Sequence, residues 1–346
     1  MDWTRGYSAR WRVMRVNRDT WEDEAEVPGI TSVDVERSCA EDAPLLESAT
    51  IHVDLEPGRQ VPEGWYRVEM LATQGGESTR HAIATLLVLE TEAEVDRGVA
   101  DATLEGWSVL KPAQDVKMPV GSYAPAGCDG AAFARDLIAV CTPAPVTADG
   151  SFTLDSTVVF DAGASNLEAA WKVVGAASWC IWVDGRGGAH IGPRGSEPAL
   201  SLDSAAAGLL VPGITHRRDV SDTVNRYFAV DGDSVAVVAN EDPASPTSTA
   251  ARGRYVDYVD TAPTRVDGET LEAYARRRLS ELSTVTTEYT YTREWWPDVH
   301  PMSLVRATLT AQGFEGDLRV VSQSLDCSHG ITVTETASLE EEGYSW

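Results

Sequence analysis

The stretch ASWCIWVDGRGGAHIGPRG, residues 177–195, sets five glycines and a histidine behind an apolar run. Two readings compete for it, a loop that cradles a phosphate and a plain turn. A phosphate loop follows a strand and opens a helix, so that backbone amides and the helix dipole face the anion. Here the glycines lead into a short apolar run that Pro193 stops. No G-x-x-x-x-G-K-[ST] pattern occurs, and in the G-x-G-x-x-G frame that starts at Gly185 the last glycine position is His190. Trp179, Ile181 and Val183 alternate as one face of a strand. Residues 184–188 therefore turn a hairpin.

The text before the hairpin is helical. In SNLEAAWKVVGAA, residues 165–177, Leu167, Ala170, Trp171 and Val174 recur at helical spacing, and Ser165 or Asn166 can cap the start. An earlier segment, DGAAFARDLIAVC at 129–141, places Phe133, Leu137, Val140 and Cys141 on one face behind Asp129 as N-cap. The two read as halves of a degenerate repeat of low identity. PVGSYAPAG at 119–127 and the prolines at 143 and 145 mark breaks in this mixed region.

On both sides the pattern becomes period two. ARWRVMRVNRDTW (9–21), ITSVDVERSC (30–39), SATIHVDLE (48–56), GWYRVEMLAT (64–73) and HAIATLLVLE (81–90) read as strands, with turns at Pro28-Gly29 and Pro57-Gly58. A small barrel is the expected closure, since it leaves few raw edges. In the last third, NRYFAVDGDSVAVVAN (225–240) is a hairpin around Asp231-Gly232. EDPASPTSTAARGR (241–254) reads as an exposed loop. DGETLEAYARRRLSEL (267–282) is a helix with Leu271, Tyr274, Ala275, Leu279 and Leu282 inward, and four further strands follow it.

Composition narrows the function. At 346 residues the chain is long enough for two or three domains, and 43% hydrophobic with 24% charged residues is ordinary for a globular protein. No apolar run approaches the roughly 18 residues of a membrane helix, so no membrane insertion is expected. The N-terminus lacks a secretory layout, which places synthesis and folding in a cytoplasm. Acids outnumber bases 54 to 28, a net charge of −26 that repels nucleic acid and argues against specific binding to it. The same charge favours solubility. The five cysteines, Cys39, Cys128, Cys141, Cys180 and Cys327, are scattered and read as buried small hydrophobes.

Catalytic layouts are missing. H-E-x-x-H, G-x-S-x-G and a Walker lysine are absent, and the six histidines show no metal-ligand spacing. DGDSV (231–235) lacks the closing glutamate of a calcium loop. In DCSHG (326–330), Cys327 and His329 would share a strand face, which is the one arrangement suited to a thiolate–imidazole pair; a strand ending in a glycine turn is the simpler reading. No catalytic residue, cofactor or metal is assigned. Trp295-Trp296-Pro297 is the most notable apolar feature. Neighbouring strand residues face opposite ways, so one tryptophan is available to anchor a partner subunit or stack on a sugar; core or turn packing is the plainer alternative.

The order of these segments resembles a known family. WCIWVDGRGGAHIGP (179–193) follows an amphipathic helix, then come DVSDTVNRYFAVDGD (219–233) and NEDPASP (240–246). LEAYARRRLSELSTVTTEYTYTREWWPDVHPMSLVRATL (271–309) and VVSQSLDCSHGITVTETASL (320–339) complete it. With WRVMRVNRDTW, GITSVDVERS and LLESATIHV at the N-terminal end, this is similar to baseplate hub proteins of tailed bacteriophages and prophages. These include tail-tip, tail-associated and late-control D-like proteins. The resemblance implies an α+β, mainly β chain with two tube-type β-barrel domains flanking a mixed α/β domain. The blocks are 1–98 (N-terminal barrel-like), 99–215 (mixed, two short helices), 216–338 (second barrel-like, one helix) and a frayed acidic tail at 339–346. It further implies a non-enzymatic homotrimer whose ring continues the tail tube and passes DNA through an acidic lumen. Its partners would be the tail tube, distal tail or other baseplate proteins, in a virion tail assembled in the host bacterial cytoplasm. Many relatives carry a C-terminal enzymatic or fibre extension; this chain stops at Trp346, so such activity is expected on another protein. A β-rich carbohydrate-binding or adhesive module is the alternative, and a cell-wall hydrolase a more distant one.

Overall fold

The computed structural model describes the chain apart from residues 4, 40–44, 57–60, 97–98, 155, 178, 204–205, 219, 262, 264–268, 284–285, 298, 311–312, 328–331 and 341–346. Its contacts gather into two units, Met1–Ile214 with Tyr291–Thr336, and Thr215–Thr290 with Ala337–Trp346.

The first unit opens with β1 (Ser8–Val16), β2 (Asp23–Glu26), β3 (Ile30–Ser38), β4 (Glu47–Leu55), β5 (Gly64–Gln74), β6 (Glu77–Asp96) and β7 (Val99–Ser108). They pair antiparallel in the order β3-β4-β7-β6-β5-β1-β2. The period-two pattern sets the inner face: in β4 Ala49, Ile51, Val53 and Leu55 are buried, while His52 and Asp54 are not. With Val13, Val68, Leu86 and Leu104 these residues form one core, each fully buried aliphatic contributing about 1.5–3 kcal/mol.

The mixed layer follows: α1 (Lys111–Asp115), β8 (Tyr123–Ala124), α2 (Gly130–Ala139), β9 (Val146–Ala148), β10 (Val158–Val159), α3 (Asn166–Gly175), β11 (Cys180–Val183) and β12 (Ala189–Gly192). Asp129 caps α2, accepting from the amides of Ala131 and Ala132 at 3.0 and 3.2 Å. Ser165 caps α3 in a reciprocal capping box with Glu168. The expected inner face of α2 holds for Phe133, Leu137 and Cys141, which pack against the core, and fails at Val140. Ala131, Ala134 and Ile138 are buried, whereas Val140 is 78% exposed and Phe133, Leu137 and Cys141 are only partly covered. Helix α2 packs on α3, and Asn166 at the start of α3 donates to the Leu137 carbonyl at 3.0 Å.

Next come β13 (Pro198–Leu202), a 3-10 turn at Ala207–Leu209 and β14 (Thr215–Arg218). The second unit contains β15 (Arg226–Asp231), β16 (Ser234–Ala239), α4 (Thr249–Arg252), β17 (Asp257–Asp260) and α5 (Leu271–Leu282). Tyr274, Ala275 and Leu279 of α5 cover Tyr227, Ala229 and Val238 of the sheet. The segment 241–254 is mostly exposed, as its polarity predicts, but it also carries the short helix α4 and a small buried cluster. Ser245, Thr247 and Ser248 are buried, held by Asn225 and Asn240, with Asn240 Nδ2 donating to Ser245 Oγ at 2.8 Å. Short polar side chains here replace water with each other and with backbone, which composition alone hides.

Strand β18 (Thr286–Glu294) leads into β19 (Leu304–Leu309), β20 (Phe314–Asp326) and β21 (Thr332–Glu340). Two separate closed barrels were the expectation, but among the described residues no sheet closes. β20 pairs with β3, Leu325 opposite Val35, and β19 bridges β20 and β13. β3 thus uses both edges, one on β4 and one on β20, and strands from the two ends of the chain share one open sheet. The expected blocks at 1–98, 99–215 and 216–338 are drawn in chain order, whereas the two contact-based units each join separate stretches of the chain. β21 reaches Glu340, inside the expected tail at 339–346, and residues 341–346 lie outside the described ones. The fold is α+β and mainly β.

Candidate functional site

Hairpin β11–β12 pairs Ile181 with Ile191 and Val183 with Ala189, as the turn reading requires. Asp184 organises its loop. Oδ1 accepts from the amides of Arg186 and Gly188 at 2.8 and 3.0 Å, and Oδ2 lies 2.8 Å from His190 Nε2. Loop amides that would hold a phosphate are thereby already satisfied by a carboxylate of the same loop. The loop's carbonyls face the large sheet. Gly185 O accepts from Thr85 Oγ1 at 2.9 Å, and Arg186 O from Trp21 Nε1 at 2.8 Å and Arg67 Nη2 at 3.3 Å. Glycine is needed for this seat: a Cβ on Gly185 would overlap the Ala82 carbonyl, and one on Gly187 (φ +80°) would meet Thr85, Trp21 and Val109 within 3.0 Å.

Beside this seat lies a cavity of about 280 Å³ with Arg37, Arg80, His81, Asp184, Trp295 and His300 in its wall. Arg37 is held from below. Its side chain is 10% exposed, and Nε donates to Glu47 Oε1 at 2.9 Å. Burial pushes the Glu47 carboxyl up to about 7, against the pull of Arg37. Arg80 and Arg186 are exposed, and neither forms an ion pair among the described residues. Sequence reasoning missed this group because positions 37, 80 and 186 belong to three distant segments with no shared motif.

The tryptophan pair divides. Trp295 is 6% exposed and sits in the sheet core, its ring 5.2 Å from Trp3 and 5.3 Å from His81, both edge-on. That position uses most of the ring for packing. Trp296 is half-buried and keeps some surface. The two do not form a pair of exposed sugar platforms. Cys327 is 3% exposed, and burial, with Asp34 and Asp326 nearby, drives its thiol far above the ordinary range. A thiolate nucleophile requires the opposite environment; His329 lies outside the described residues. DGDSV forms the β15–β16 turn, with Asp231 opposite Ser234, one residue beyond the expected centre. Among the described residues no group of three His, Cys, Asp or Glu is placed to hold a metal, and no helix is long and apolar enough to cross a membrane.

Structural comparison decides the fold. A tail protein from Neisseria meningitidis superposes with a TM-score of 0.69 at 14% identity, over 98% of both chains. The chain has the fold of phage and prophage tail proteins. The 43 kDa tail protein of prophage MuSo2 from Shewanella oneidensis shares this tail-protein fold at TM-score 0.66 and 13% identity, over 95% of this chain and 98% of its own. A prophage tail protein from Listeria monocytogenes shares it at 0.55 and 10%, over 96% and 95%. No protein-family profile matches the sequence, and no curated protein is significantly similar to it.

Proposed function

We propose that the chain is a structural baseplate hub protein at the tail tip of a phage or prophage. Its copies form a homotrimeric ring that continues the tail tube and contacts tube, distal-tail or other baseplate proteins. The observation that carries this reading is the end-to-end likeness to the Neisseria tail protein, which leaves no large part of either chain unmatched. Two features support it. Among the described residues the large sheet is open, and its terminal strand β2 (DEAE) is short and mostly exposed, so neighbouring copies can complete what one chain leaves unclosed. A net charge of −26 suits the wall of a channel through which DNA passes without adhering. The role is non-enzymatic and belongs in the virion tail, after assembly in the host cytoplasm. Trp296, the tryptophan with surface left, is a contact residue in this reading. Negative-stain electron microscopy of the purified protein mixed with its tail-tube protein tests it. Threefold rings with a central channel are expected; isolated single-chain particles under those conditions would overturn it.

A further inference from the structure

The basic cavity beside the glycine loop is out of keeping with a chain that carries 54 acids and 28 bases. We propose that it is a carboxylate-binding site that receives an acidic peptide segment of another protein chain.

Three observations carry this. First, Arg37 is a built element of the wall: nine-tenths buried, fixed by Glu47 through Nε, and with no further hydrogen bond from its two terminal nitrogens among the described residues. A guanidinium held by one edge presents the other as a planar fork, the geometry that carboxylates match in pairs of hydrogen bonds. Second, Arg80 and Arg186 stand exposed at the same cavity, and neither forms an ion pair among the described residues. Asp184, the acid in the wall, has both carboxylate oxygens already engaged by the loop and His190. Third, Pro297, half-buried in the cavity wall, supplies an apolar side against which the methylene stem of a glutamate can lie. A nucleic-acid backbone is the poorer occupant, because many phosphates would have to approach a surface of net charge −26 to place one of them here. The site does not depend on the ring reading: it is a property of the single chain.

Fluorescence anisotropy of a fluorescein-labelled Ala-Glu-Glu-Glu-Ala peptide against the full chain, at low ionic strength, tests it. Saturable binding is expected that weakens as salt rises. The double variant R80A/R186A should weaken it about tenfold or more, the loss of two charge-assisted contacts. R80K/R186K should retain part of it, and the matching Ala-Gln-Gln-Gln-Ala peptide should not bind. Both side chains are exposed, so unchanged melting of the variants is the control, and Arg80→Glu alone serves if the double variant is unstable. Absence of saturable binding, undiminished binding by R80A/R186A, or stronger binding by a labelled thymidine oligonucleotide would each overturn the proposal.

Discussion

The Thr85 hydroxyl donates to the Gly185 carbonyl at 2.9 Å while its oxygen accepts from Arg67 Nε at 3.0 Å, so one threonine ties a buried arginine to the glycine loop. The loop's sequence is a consequence of that seat. Gly185→Ala and Gly187→Ala should each cost about 1–3 kcal/mol through overpacking against β6. Gly195→Ala, where a Cβ meets nothing within 4 Å, should be close to silent. Urea unfolding of the three variants checks the contrast.

Arg293 and Glu335 form a second buried anchor, both fully inaccessible, with Nε–Oε2 at 2.9 Å and Gln323 Nε2 adding a bond to Glu335 at 2.6 Å. Glu335→Ala strands the arginine charge and should destabilise by about 3–5 kcal/mol. R293M/E335L, which removes both charges, should lose far less. A double-mutant cycle from chemical denaturation measures the difference.

Glu47 gives a pH signature. Its carboxyl is raised from 4.5 to about 7, chiefly by burial, with Arg37 opposing and Asp184 reinforcing the shift. The native state therefore holds this proton more tightly than the unfolded chain. The stabilisation is complete below the unfolded value and is lost as pH rises through about 7. Glu47→Gln should remove that decline, so denaturation midpoints followed across this window should fall more for the parent than for the variant.

Cys327 should be the opposite of a reactive thiol. With burial and two nearby aspartates holding its proton, alkylation by iodoacetamide near neutral pH should spare it in the native state and reach it only after denaturation. Peptide mass spectrometry reads this directly, and rapid native labelling would contradict its placement.

The tryptophans separate packing from surface. Trp295→Ala removes a core ring and should cost about 3–5 kcal/mol. Trp296→Ala should cost markedly less in the isolated chain and show its effect in assembly. Thermal melting and the assembled mass of each variant distinguish the two.

What was legible in the sequence was local. The caps at Asp129 and Ser165, the 180–192 hairpin and the inner face of α5 each rest on residues within one or two turns, where spacing determines contact. The pairing of Val35 with Leu325 joins strands from opposite ends of the chain, and no turn between them announces it. On α2 helical spacing places Phe133, Leu137 and Cys141 against the core, but Val140 stands at the C-cap, where the helix ends and the side chain is left exposed. The small buried cluster at Ser245, Thr247 and Ser248 is not legible in the otherwise exposed segment 241–254, because Asn225 and Asn240, which hold it, lie outside it. Arg37, Arg80 and Arg186 form a group only after β3, β6 and the β11–β12 loop have come together.

The ring is the central claim, and mass in solution is its most direct test. Light scattering should give three times the 37.3 kDa chain mass, with the trimer gaining population as added salt screens the acidic surfaces within a Debye length of about 8–10 Å. A mass of one chain at every salt and protein concentration, with tail-tube protein present as well, would contradict it.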